Sequence, residues 1–138
     1  MPISSDAAFL SRLRRAAKLD AEVDKWALEG AEVIAAEARA LIDDGGIPSP
    51  NHIASQPGQP PNRDTGNLSS HTNAEKLPEI GQAAVISDAL SDDGYSYSLG
   101  LEFGNSRIFE RPFLRPATAN KRQHVVTLAR NAVNRGTK

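Results

Sequence analysis

Residues 6–43 carry an apolar period that runs on well past the point where a helix in a small protein normally stops. Phe9, Leu10, Leu13, Ala17, Val23, Trp26, Ala27, Val33, Ile34, Ala38, Leu41 and Ile42 recur mostly three or four residues apart, the spacing of one helical stripe. Ser5 or Asp6 can cap the start, and Gly45-Gly46 followed by Pro48 supplies a stop. Such a helix would measure about 57 Å at 1.5 Å per residue. A folded domain of this length has a radius of gyration of about 14 Å. The helix therefore either breaks, at Gly30 or in the polar stretch around Asp20, or runs beyond its own domain and leans on another subunit.

The next 23 residues, 44–66, hold five of the nine prolines and four of the ten glycines. Proline cannot donate to a ladder and glycine loses most entropy on ordering, so this segment predicts a long extended loop. Loops of that length are usually functional or disordered. Beyond it the period changes. Residues 68–77 suit a weak edge strand and residues 83–87 a short buried one. In residues 95–103 the side chains of Tyr95, Tyr97, Leu99, Leu101 and Phe103 alternate with Ser96, Ser98, Gly100 and Glu102, as in a half-buried strand. Ser91-Asp92-Asp93-Gly94 reads as the hairpin turn between the last two. A second helix is predicted over residues 117–133, with Val125, Leu128, Ala129 and Val133 on its apolar side.

The expected fold is α+β, one domain across residues 1–138. A long N-terminal helix (1–43) and a C-terminal helix pack on a small antiparallel sheet (67–104). The loop 44–66 joins the first helix to the sheet, and an extended segment opens the last part, 105–138.

Several function classes fall away on composition. There is no cysteine, which removes disulfide frameworks and thiolate zinc sites. No apolar run approaches the roughly 20 residues of a membrane span. The start, Met1-Pro2-Ile3-Ser4-Ser5-Asp6, lacks the basic and apolar regions of a signal peptide, so a cytoplasmic product is expected. Net charge is −1, but residues 105–138 carry eight basic side chains against Glu110 alone. Three readings of that basic third are open: contact with nucleic acid, docking on an acidic neighbour, or a solvated helix surface.

Catalytic constellations are weak. Asp64-Thr65-Gly66 matches the triplet of small dimeric aspartic proteases, whose carboxylate needs a dry, strand-supported turn. Here a polar lead-in, Pro60-Pro61-Asn62-Arg63, precedes it and Asn67 follows. The plainer reading is that Asp64 or Thr65 caps a turn starting at Gly66. His52, His71 and His124 lie far apart and none stands at ligand spacing to another His, so neither a metal nor any other cofactor is expected.

Four motifs in order carry a resemblance. Pro57-Gly58-Gln59-Pro60-Pro61 leads into Asp64-Thr65-Gly66-Asn67-Leu68. Tyr97 follows, then Glu102-Phe103-Gly104, then Arg111-Pro112-Phe113-Leu114 and Pro116-Ala117. Over residues 57–117 the chain resembles the tail-component family of long-tailed phages, the neck, head–tail joining or tail-completion proteins. Ser69, His71 and Thr72, Ser98, and Asn105 depart from that family's usual residues. The resemblance implies a non-enzymatic virion subunit, assembled in the host cytoplasm into a homo-oligomeric ring of six copies. Such a ring would connect adaptor or stopper to the tail terminator and tail tube, with DNA passing the lumen without specific binding and no membrane partner. A tail terminator, a head-side stopper and a DNA-binding packaging accessory are the alternatives. So are a phage, a prophage and a gene-transfer particle as the source.

Read on their own chemistry, the same residues suggest that Glu102, on the polar strand face ten residues before the Arg111-Pro112 pair and close to Arg107, pins the returning chain by an Arg pair. Gly104 would free a sharp turn. Pro112 and Pro116 would stiffen an extended segment around Phe113, which either closes the core or anchors a neighbour.

Overall fold

The computed structural model describes residues 3–44 and 52–138; the expectation for residues 45–51 lies outside the described residues. Helix α1 (Ile3–Asp43) runs uninterrupted for 41 residues, or about 61 Å. Gly30 does not break it. A Cβ at Gly30 would stand 3.1 Å from Val125 Cγ1, so the bare backbone there lets the C-terminal helix approach closely. Ala27, Ala31, Ala35 and Ala38 are buried along the same stripe. The apolar period was thus legible, and small side chains make the seam.

The partner in that seam is the C-terminal helix (Leu114–Gly136), which begins earlier and ends later than its apolar period suggested. Trp26 Nε1 donates to the Val125 carbonyl at 3.0 Å. Glu37 meets Lys121 at 3.7 Å and Glu22 meets Arg135 at 2.9 Å, so the two helices run antiparallel. The C-terminal helix reaches only as far as Leu19, against which Gly136 is packed. Lys18 Nζ closes the contact on the Lys138 carbonyl at 3.3 Å. Earlier turns of α1 stand clear, and Phe9, Leu10 and Leu13 are 59%, 49% and 49% exposed. Of the two outcomes open to the long helix, the chain adopts the overhang. Gly30→Val should force a branched side chain into the 3.1 Å gap. We expect a loss of about 1–3 kcal/mol in denaturant unfolding, the usual cost of overpacking.

A short helix α2 (Asn67–Ser70) leads into β1 (Thr72–Lys76), which pairs antiparallel with β2 (Ala83–Ser87) in the register Thr72↔Ser87 to Lys76↔Ala83. Two strands alone are marginal, and α1 supports them. Arg39 Nη1 donates to the Thr72 carbonyl at 2.7 Å. Asp24 pairs with Lys76 at 2.9 Å and accepts the Gly81 N–H at 3.1 Å.

The expected third strand is not formed. Residues Ser98–Phe103 are a helix, α3, and of the predicted hairpin only the turn and the single Leu90↔Ser96 bridge remain. Tyr97 and Leu101, four apart, pack on the core, whereas Leu99 and Phe103 are exposed. Ser98, Gly100 and Glu102, expected to face solvent, are buried. The alternating pattern loses because the helical turn carries the Glu102 carboxylate to the start of the C-terminal helix, α4, where backbone N–H groups need acceptors. Fold class stands: α+β, with two long helices on a small antiparallel sheet. The core gathers Ala38, Ile42, Leu68, Ala89, Phe113 and Ala117. Among the described residues no helix is long and apolar enough to cross a membrane.

Candidate functional site

The motif residues, scattered over sixty positions, converge at the C-terminal end of α1. Gly66 takes φ 87° and precedes α2 at its N-cap. The Arg63 guanidinium lies 2.9 Å from where a Cβ on Gly66 would be, and Arg63 also faces Asp43 at 3.7 Å. Thr65 caps the turn: its Oγ1 accepts the Asn67 N–H at 3.3 Å. Asp64 Oδ1 stands 4.0 Å from His52 Nδ1. Leu68 drops into the core, Pro61 is buried, and Pro60 is half-buried. The Asp64-Thr65-Gly66 triplet lies ahead of a four-residue helix with no strand beneath it, unlike a protease carboxylate turn.

Ties run from this first motif to the last. Gly58, at φ 85°, donates its N–H to the Glu110 carbonyl at 2.9 Å, just past Pro57. Arg111 Nε donates to the Ser55 carbonyl at 3.0 Å. Asn67 Nδ2 donates to Tyr97 Oη at 2.6 Å. Between these ties lies a cleft of about 250 Å³, whose lining includes His52, Pro61, Asp64, Asn67, Tyr97 and Arg111.

Glu102 is the centre of the arrangement. Its residue is 3% exposed, and its carboxylate accepts three consecutive backbone N–H groups. Phe113 and Leu114 donate to Oε2 at 2.8 and 2.9 Å, and Arg115 to Oε1 at 2.9 Å. Arg115 Nε adds a fourth bond at 3.0 Å. These are the otherwise unpaired donors of the α4 N-terminus, the positive end of its dipole. Burial pushes the Glu102 carboxyl up, but the N–H groups of Leu114, Phe113 and Arg115 and the Arg115 guanidinium outweigh it and hold it below the usual carboxylate range.

The Arg partner expected for Glu102 therefore exists, but it is Arg115 and not Arg107. Arg107 instead donates its N–H to Asn105 Oδ1 at 2.8 Å. Arg115 also reaches Glu110 at 3.0 Å and lies over the Phe103 ring, 5.0 Å from its centroid. Gly104, at φ 74°, makes the expected sharp turn, with Glu110 N 3.0 Å from where a Cβ would be. The extended segment is shorter than expected. Pro112 lies within it, whereas Pro116 sits in the first turn of α4, where a missing N–H is harmless. Phe113, one of the two options read from sequence, is fully buried and closes the core.

Sequence reasoning missed two participants. Arg115 entered only as one of the eight basic side chains of residues 105–138, and Asn67 only as the residue after the Asp64-Thr65-Gly66 triplet. Neither side chain is signalled by spacing, since their partners lie 13 and 30 residues away.

No family model, curated protein or solved structure matches this chain. The site's reading rests on its own geometry. Glu102 is saturated by donors, most of them backbone N–H groups, whereas His52 Nδ1 and Ser55 Oγ, which line the cleft, are buried without a hydrogen-bond partner. Among the described residues no group of three or more His, Cys, Asp or Glu side chains could hold a metal ion. The arrangement is a brace. It sets the angle at which α3, α4 and the loop 52–66 leave the end of α1.

Proposed function

We propose that this chain is a structural subunit, without enzymatic activity, of a ring at the neck or upper tail of a phage-type particle, joining head connector to tail tube. The observation that carries this reading is the overhang of α1, which leaves Phe9, Leu10 and Leu13 in solvent beyond the end of α4. A lone globular chain gains nothing from extending an apolar stripe into water, whereas a subunit buries it on assembly. The four motifs supply the setting. They resemble those of phage tail components, and in this chain they form a rigid brace that holds two long helices at a fixed angle. Function on this reading is geometry: each copy offers one surface to one neighbour and a different surface to the other, so a ring can close.

A joining subunit is required only after both halves of a particle exist. Deleting its gene should leave fillable capsids and separately assembled tails, both visible by electron microscopy, with few infectious or transferring particles. Normal joined particles from the deletion would refute the connector role.

A further inference from the structure

The overhang has a matching surface elsewhere on the same chain. Within residues 7–19 there are four basic side chains, Arg12, Arg14, Arg15 and Lys18, and no acidic one. At about 100° per residue, Phe9, Leu10, Leu13, Ala16 and Ala17 form one stripe, with Arg12 and Arg14 along its two edges. None of the ion pairs among the described residues involves Arg12, Arg14 or Arg15.

The second surface is the outer side of α3 and the turn before it. Leu99 and Phe103, four apart on α3, are 67% and 61% exposed, and Leu90 and Tyr95 flank the turn at 52% and 54%. Tyr95 lies against α3: its Oη would stand 3.6 Å from a Cβ on Gly100. Residues 77–106 contain no lysine or arginine but five carboxylates. Three of them, Asp88, Asp92 and Asp93, are exposed around that turn. Hydrogen bonds from the Ser91 hydroxyl and the Tyr95 N–H hold the Asp93 carboxyl below its usual range, so it stays charged.

A basic-edged apolar stripe thus complements an apolar patch that Asp88, Asp92 and Asp93 border on the turn, although Arg107 lies beside Asp93 and Tyr95 and Arg115 covers the Phe103 ring. The two cannot meet within one chain. Tyr97 and Leu101 of the α3 region pack with Ala38 and Ile42, and residue 38 lies about 38 Å along α1 from residue 13. We infer that the N-terminal turns of α1 dock on the α3 face of a second copy of this chain, with Arg12 and Arg14 against Asp92 and Asp93. Because the two surfaces differ, the contact is head-to-tail, and it propagates to a ring or a filament. This inference rests on the subunit reading above and names its self-contact.

The test uses the full chain and its particle. Sedimentation of the wild type against concentration should show association that weakens as salt is raised. Arg12→Glu/Arg14→Glu and Asp92→Arg/Asp93→Arg should each raise the concentration for half-assembly by about tenfold or more, with unchanged circular dichroism. Mixing the two variants should restore both contacts, the wild-type pair and the charge-swapped pair, and yield alternating assemblies that neither variant forms alone. The quadruple variant should regain assembly. If both double variants associate like wild type, or if the mixture does not co-assemble, the α1–α3 contact is wrong. In that case, a deletion that still leaves unjoined heads and tails preserves the connector reading. A double variant that self-associates normally yet no longer joins heads to tails would assign the overhang to another neck protein and overturn the inference.

Discussion

Glu102→Ala should unfold about 10–15 °C below wild type, a loss of about 2–4 kcal/mol. The substitution strips an acceptor from three consecutive N–H groups at the start of α4 and from Arg115 Nε at once. Arg115 is half-exposed and rehydrates, so most of the cost falls on the buried backbone donors. Glu102→Gln keeps one acceptor oxygen and should fall between alanine and wild type. The pH dependence has a definite sign. A carboxyl whose folded pKa is depressed contributes stability that is complete above its unfolded value, about 4.3, and that is lost as pH falls toward the folded value. Wild type should therefore lose stability below about pH 4.3 more steeply than Glu102→Gln, in thermal melts at matched ionic strength. Equal slopes would remove the carboxylate from the account of the brace.

Phe113→Ala should be as damaging or worse, at about 3–5 kcal/mol and roughly 10–20 °C. The core around it is built from small residues, Ala38, Ala89 and Ala117, with Ile42 and Leu68. Phe113 is the largest fully buried side chain, so little nearby can move in to fill the space. Against a total stability of about 5–15 kcal/mol for a small domain, that is a large fraction. Equilibrium denaturant unfolding of the isolated chain measures it, since the ring sits entirely within one copy. A loss of assembly without loss of subunit stability would instead make Phe113 an interface anchor.

Much of the fold was legible because period is a local property. The stripe on α1 and the existence of β2 and α4 follow from spacing within a dozen residues, but β2 is half-buried with Ile86 exposed, and on α4 Ala132 is buried while Val133, expected on the apolar side, is exposed. Residues 95–103 misled because Tyr97 and Leu101 satisfy a helical as well as an alternating pattern. What decided between them was a set of N–H groups 11–13 residues further on, which no local pattern records. At the brace stand Glu102, Gly104, Gly66 and Phe113, all named from the sequence, with partners that no spacing records. The choice of Arg115 over Arg107 depends on where the chain returns in space.

The alanine seam between α1 and α4 also has leverage. The α1 turns 3–18 project about 24 Å past the last contact with α4, so a tilt of about 10° at the seam displaces the tip by about 4 Å. Methyl groups and a bare glycine leave the two backbones little play, and the pointing direction of the tip is fixed at a distance by atoms that never touch it. A change of one or two carbons near Gly30 thus acts like bending the root of a lever, with its largest effect at a tip about 40 Å away.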